Sequence, residues 1–188
     1  MKKSAFIAAV FCLFSLSVFA QQQTKTNFSG NWELDAQKSK LPEMSRVEAI
    51  SMKVAQTDKD LKVESTTKRT ARPEGEGTGA GNRRGNWGGG FSGGDGTQIY
   101  NYSLEGRETT TEGVAGIPAA SATLKANLEK NGKLNLSSTR KFNTQAGETT
   151  VTTKETWELL DGGKTLKVVR ETETRRGTQT SELYFTKK

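Results

Sequence analysis

The sequence predicts an all-β protein, a single antiparallel up-and-down β-barrel of roughly eight to ten strands. Three observations lead there. Apolar side chains recur with period two from Ser45 onward, the spacing of a strand that buries one face. Short stretches holding Gly, Asn or Asp join the alternating runs, and such turns connect antiparallel neighbours. Lys, Glu and Thr fill the intervening positions, so one face packs inward and the other meets water. An open meander of such strands would leave two unpaired edges, and closure removes both. The same polar exterior argues against an outer-membrane barrel, which needs an apolar outer band.

Residues 1–20, MKKSAFIAAVFCLFSLSVFA, combine two lysines, an apolar run from Ala5 to Phe19 and a small residue at Ala20. That is the pattern of a secretory signal peptide, and the run is short for a membrane span. Its removal implies a periplasmic or secreted protein. It also removes Cys12, the only cysteine, so neither disulfide nor thiol chemistry is expected. The bulky Phe11 before Cys12 argues against lipid attachment there. Residues 21–26, QQQTKT, read as a flexible lead-in, and residues 27–188 as one domain. Without Lys2 and Lys3, 26 basic side chains face 21 acidic ones. The excess is spread along the chain and fits solubility better than a polyanionic partner.

The domain opens on NFSGNWELD, residues 27–35. Ile50, Met52 and Val54, then Leu61, Val63, Ser65 and Thr67, form two alternating runs around QTDKD and predict a hairpin. Residues 71–96 hold 11 of the 20 glycines, too few apolar groups to offset the entropy of ordering them, and are expected to be a flexible inserted loop. Arg83, Arg84, Trp87 and Phe91 within it have the composition of arginine-glycine nucleic-acid segments, but secretion argues against that partner.

Tyr100, Tyr102 and Leu104 share one face of the next strand, which turns at Glu105-Gly106. Ala120, Ala122, Leu124, Ala126 and Leu128 alternate up to Asn131-Gly132, and Leu134, Leu136, Ser138 and Arg140 resume beyond it. Asn-Gly between alternating runs is a strong hairpin signal. A helix over 118–130 is the competing assignment, since Pro118 can start one and Ile117, Ala120, Leu124 and Leu128 stand at helical spacing. The tail reads as three threonine-rich strands joined at Asp161-Gly162-Gly163 and Arg176-Gly177, because β-branched threonine suits a pleated surface.

The opening FSGNWELD, through Phe28, Gly30 and Trp32, resembles the Gly-x-Trp signature that begins the first strand of lipocalins and their relatives. More of the chain is similar to the uncharacterised small secreted lipocalin-like, calycin-type proteins of Gram-negative bacteria. The matching residues are Gly30, Trp32 and Leu34, the Lys38-Ser39-Lys40 triplet, Trp157 and Leu159, and Asp161-Gly162-Gly163-Lys164-Thr165-Leu166. The resemblance implies a lipocalin-like barrel whose closed end is plugged by Trp32 beside Gly30. It further implies an arginine from a late strand stacked over that indole, for which Arg170 is the first candidate and Arg175 the second.

The chain has no histidine, which removes Ser-His-Asp and Cys-His catalysis and the usual zinc and copper ligand sets. Asp58 and Asp60 sit in a hairpin turn without a calcium-loop pattern, so neither a metal nor a cofactor is expected. The informative residues are charges on apolar faces. Arg140 shares parity with Leu134 and Leu136, Glu155 with Val151 and Trp157, and Arg170 with Leu166 and Val168. If no bulge intervenes, two arginines and one glutamate point into the barrel from three consecutive strands.

Buried charges are costly unless paired. Glu155 then neutralises one arginine, and the other is left to bind a carboxylate or phosphate through its planar donor fork, helped by the hydroxyl of Tyr100 or Tyr102. The alternatives are a structural ion pair at a wet barrel end, or a bulge that turns these side chains outward. The functional expectation is a non-enzymatic, monomeric carrier of a small amphipathic or hydrophobic anionic ligand. The alternative is an envelope interaction protein with a filled barrel, binding another protein through its rim or glycine-rich loop. Interior volume separates the two.

Overall fold

The computed structural model describes residues 25–41, 46–70, 96–111, 121–144, 147–175 and 177–188, with residues 142–144 described by their backbone alone. The expected leader, the glycine-rich residues 71–95 and residues 118–120 lie outside the described residues. The described residues form ten strands: β1 (Gly30–Leu34), β2 (Val47–Gln56), β3 (Asp60–Arg69), β4 (Gly96–Ser103), β5 (Thr109–Thr111), β6 (Ala122–Leu128), β7 (Leu134–Thr144), β8 (Gly147–Leu160), β9 (Thr165–Thr174) and β10 (Gly177–Lys187). The order in the sheet is β4-β3-β2-β1-β10-β9-β8-β7-β6-β5, every pairing antiparallel. Because β1 pairs with both β2 and β10, the up-and-down meander curls into a nearly closed barrel.

The seam lies between β4 and β5. There the Thr109 hydroxyl donates to the Asn101 carbonyl at 2.5 Å, and β4 also neighbours β6. The all-β barrel expected from the alternation is therefore the fold. Among the described residues the nearest thing to a helix is one 3-10 turn, Asp161–Gly163. The ambiguous segment is a strand, β6, because β5 and β7 take up the backbone groups on both of its edges.

Connections sort by barrel end. At one end the strands are joined within 57–59, 104–108, 129–133 and 161–164. At the other end, which we call the mouth, the chain leaves β1, β3 and β5 and enters β2, β4 and β6. The Asn131-Gly132 turn is a three-residue loop rather than a two-residue one: Glu129 N–H donates to the Lys133 carbonyl at 2.8 Å, and Gly132 N–H to the Glu129 carbonyl at 3.0 Å. Gly132 alone in it has positive φ, at 86°, as expected of a turn followed by a left-handed bulge residue.

Inward parity holds where the charges are. The register shift falls between Val47 and Ala49 of β2, while β7, β8 and β9 pair without interruption. Phe28, Trp32, Leu61, Leu134, Trp157, Leu166 and Phe185 are wholly or almost wholly buried and fill the end opposite the mouth. The Phe28 and Trp157 rings meet edge-to-face at 6.0 Å. Trp32, which the resemblance implies as the plug, is fully buried, its indole N–H donating to the Phe28 carbonyl at 3.0 Å.

Among the described residues the cation over Trp32 is a lysine, not the expected arginine. Lys187 Nζ lies 5.2 Å from the ring centroid, brought there by the register Trp32↔Lys187, whereas Arg170 is committed elsewhere. Gly30 makes room for it: a Cβ at that position would stand 2.6 Å from Lys187 Cε. The Lys38-Ser39-Lys40 triplet extends this closure beyond β1, with Tyr184 N–H donating to Ser39 Oγ at 2.9 Å and Lys40 bridging to Glu182.

Candidate functional site

Along five strands the inward side chains change from apolar to polar on approaching the mouth. β3 runs Leu61, Val63, Ser65, Thr67; β7 runs Leu134, Leu136, Ser138, Arg140; β9 runs Leu166, Val168, Arg170, Thr172. β8, from the closed end, reads Trp157, Glu155, Thr153, and β4 reads Tyr102, Tyr100, Gln98. All of these are buried. Ile50, Ala122 and Val151 keep apolar surface in this half.

The three predicted inward charges are buried, Arg140 and Glu155 each at 4 % exposure and Arg170 at 5 %. Glu155 and Arg170 stand directly opposite one another in the β8–β9 register, and Arg170 Nε donates to Glu155 Oε1 at 2.6 Å. The second oxygen, Oε2, accepts the Trp157 indole N–H at 2.9 Å. Both carboxylate oxygens are thus engaged, and the buried charge is paired and hydrogen-bonded as its desolvation requires.

Arg140 is differently placed. Its Nη2 donates to the Tyr100 hydroxyl, which in turn donates to Gln98 Oε1, and its guanidinium lies 5.6 Å from the Tyr100 ring centroid. Among the described residues no carboxylate is within ion-pair distance of it, and its Nε–H, buried, has no hydrogen-bond partner. Two further buried donors, Ser65 Oγ and Thr153 Oγ1, are also without a partner among the described residues.

A cavity of about 10 Å³ opens beside this group, lined by Tyr100, Tyr102, Leu136, Ser137, Ser138, Thr153 and Glu155. It holds about one water-sized group. The Tyr100 and Tyr102 rings stack at 6.3 Å along its β4 wall. Burial pushes the Tyr100 phenol up, with the Arg140 charge pulling it part-way back. Tyr102 is raised well above the usual tyrosine range, first by burial and then by the Glu155 charge. Both hydroxyls are therefore protonated donors at neutral pH.

The fold thus brings Arg140, Arg170, Glu155, Tyr100 and Tyr102 into one half of the barrel and puts Gly30 and Trp32 at the other end. Sequence reasoning missed the part played by Ser65, Gln98 and Thr153. Their signal was available in parity, since Thr153 alternates with Val151 and Glu155, but polar uncharged residues at inward positions draw little notice. No described cluster of three or more acidic side chains is arranged to hold a metal ion.

No protein-family model and no curated protein matches the chain. Among solved structures it is similar to the zebrafish ileal bile acid-binding protein complexed with cholic acid, at 15% sequence identity and a TM-score of 0.48, covering 86% of this chain and 98% of that one.

Proposed function

We propose that the protein is a non-enzymatic binding protein of the periplasm or the secreted space, which takes a small anionic molecule into the mouthward half of its barrel. Arg140 is the anchoring cation. The observation that carries this is a guanidinium at 4 % exposure with no carboxylate partner among the described residues and an unsatisfied Nε–H. A buried cation in that condition is costly, and an arriving anion offsets the cost through charge-assisted hydrogen bonds. Arg170 does not serve this role because Glu155 already neutralises it. Glu155 in turn has both oxygens occupied, which leaves it poorly placed to act as a general base.

Native mass spectrometry of the protein purified from its own envelope tests the proposal. A co-purifying small anion is expected in the parent and absent from Arg140→Met. Finding no adduct in either, or the same adduct in both, sinks it.

The small interior volume favours a second reading, a filled barrel that acts through its rim. On that reading nothing co-purifies, and Ser138→Val, which fills the cavity, raises stability without any other effect.

A further inference from the structure

We infer that the anion is a small hydroxylated carboxylate rather than a fatty acid. This deepens the proposal above and rests on it. Among the described residues Trp32, Trp157 and Phe185 fill the closed half of the barrel and leave a hydrocarbon tail no room there. Of the seven residues that line the space that is left, five carry a hydroxyl and one a carboxylate. A tail laid there would strip water from polar groups and give them no partner in return.

The charges also set the orientation. Glu155 lines the cavity, so a carboxylate placed inside it would face a like charge that is already committed to Arg170 and Trp157. A neutral hydroxyl does not meet this objection. It can accept from the unpartnered Thr153 Oγ1–H and donate to a spare lone pair of Glu155. The cavity, at about 10 Å³, matches one such group. The ligand carboxylate then lies mouthward, on the free Nε–H edge of Arg140. Ser65 Oγ is the other unpartnered donor of that layer, one strand from Gln98 by the register Ser65↔Gln98. Two ligand features, an anion and a hydroxyl set deeper, thus answer the buried donors that the fold leaves without partners.

The test is isothermal titration of the parent protein with gluconate and hexanoate, which share chain length and charge but differ in hydroxyls, with glucose as the neutral control. Gluconate is expected to bind at least about tenfold more tightly than hexanoate, and glucose not at all. Thr153→Val, nearly isosteric, should lower gluconate affinity by about tenfold and leave hexanoate unchanged, with circular dichroism showing that the variant is folded. If hexanoate equals or exceeds gluconate in the parent, the hydroxyl requirement is wrong while the anion-binding proposal stands. If neither acid binds and Arg140→Met behaves like the parent, both fall together.

Discussion

Arg140 and Arg170 are the same residue type, two strands apart, buried to the same degree, yet they do different work because Glu155 lies opposite only one of them. The consequence is measurable as stability. Removing Glu155 takes the carboxylate away from a buried guanidinium and an indole N–H, so Glu155→Ala should cost about 3–5 kcal/mol in urea unfolding. Arg140→Met removes a charge that no carboxylate among the described residues compensates and should leave the unfolding free energy unchanged, or raise it by up to about 2 kcal/mol. Glu155→Ala should therefore lower the urea midpoint, and Arg140→Met should not. A loss of more than about 1 kcal/mol for Arg140→Met would mean that its bond to Tyr100 and its packing outweigh its desolvation.

Strands here are specified mostly by alternation, and turns by a few residues whose backbone angles others resist. The β6–β7 loop illustrates this. Asn131 Oδ1 accepts the Lys133 N–H at 2.9 Å, while Gly132 takes φ 86° and a Cβ there would meet Thr26 Oγ1 at 2.5 Å. Gly132→Ala is expected to cost about 1–2 kcal/mol, read as a lower thermal midpoint. Equal midpoints for Gly132→Ala and the parent would show that this backbone angle is not needed. The dipeptide announced a turn, but loop length was decided by which backbone groups of 129 and 133 could pair.

At the scale of the molecule, closure distributes the roles. The end where β2 joins β3 and β8 joins β9 is packed solid around Trp32 and Trp157, and the mouth is the end at which the chain leaves β1, β3 and β5. The register Thr67↔Gly96 sets the ends of β3 and β4 side by side, so a short hairpin turn can replace residues 72–94. That trimmed chain is expected to unfold within about 1 kcal/mol of the parent, since shortening a loop changes closure entropy only logarithmically. A loss of several kcal/mol in a thermal or urea melt would show that these residues contribute to the barrel rather than merely connecting it.

By itself the sequence determined the strand pattern and the inward faces, and from these came the expectation that three charges turn inward wherever no bulge intervenes. Period-two burial is a local property, written in adjacent residues, and parity carries it along a strand wherever no bulge intervenes. Only the tertiary structure decided that Glu155 pairs with Arg170 and not with Arg140, that Lys187 rather than an arginine covers Trp32, and that the interior is filled at one end. Those outcomes depend on register between strands and on barrel curvature, which bring together residues such as Trp32 and Lys187 that stand far apart in the chain, and no short stretch of sequence encodes such a distance.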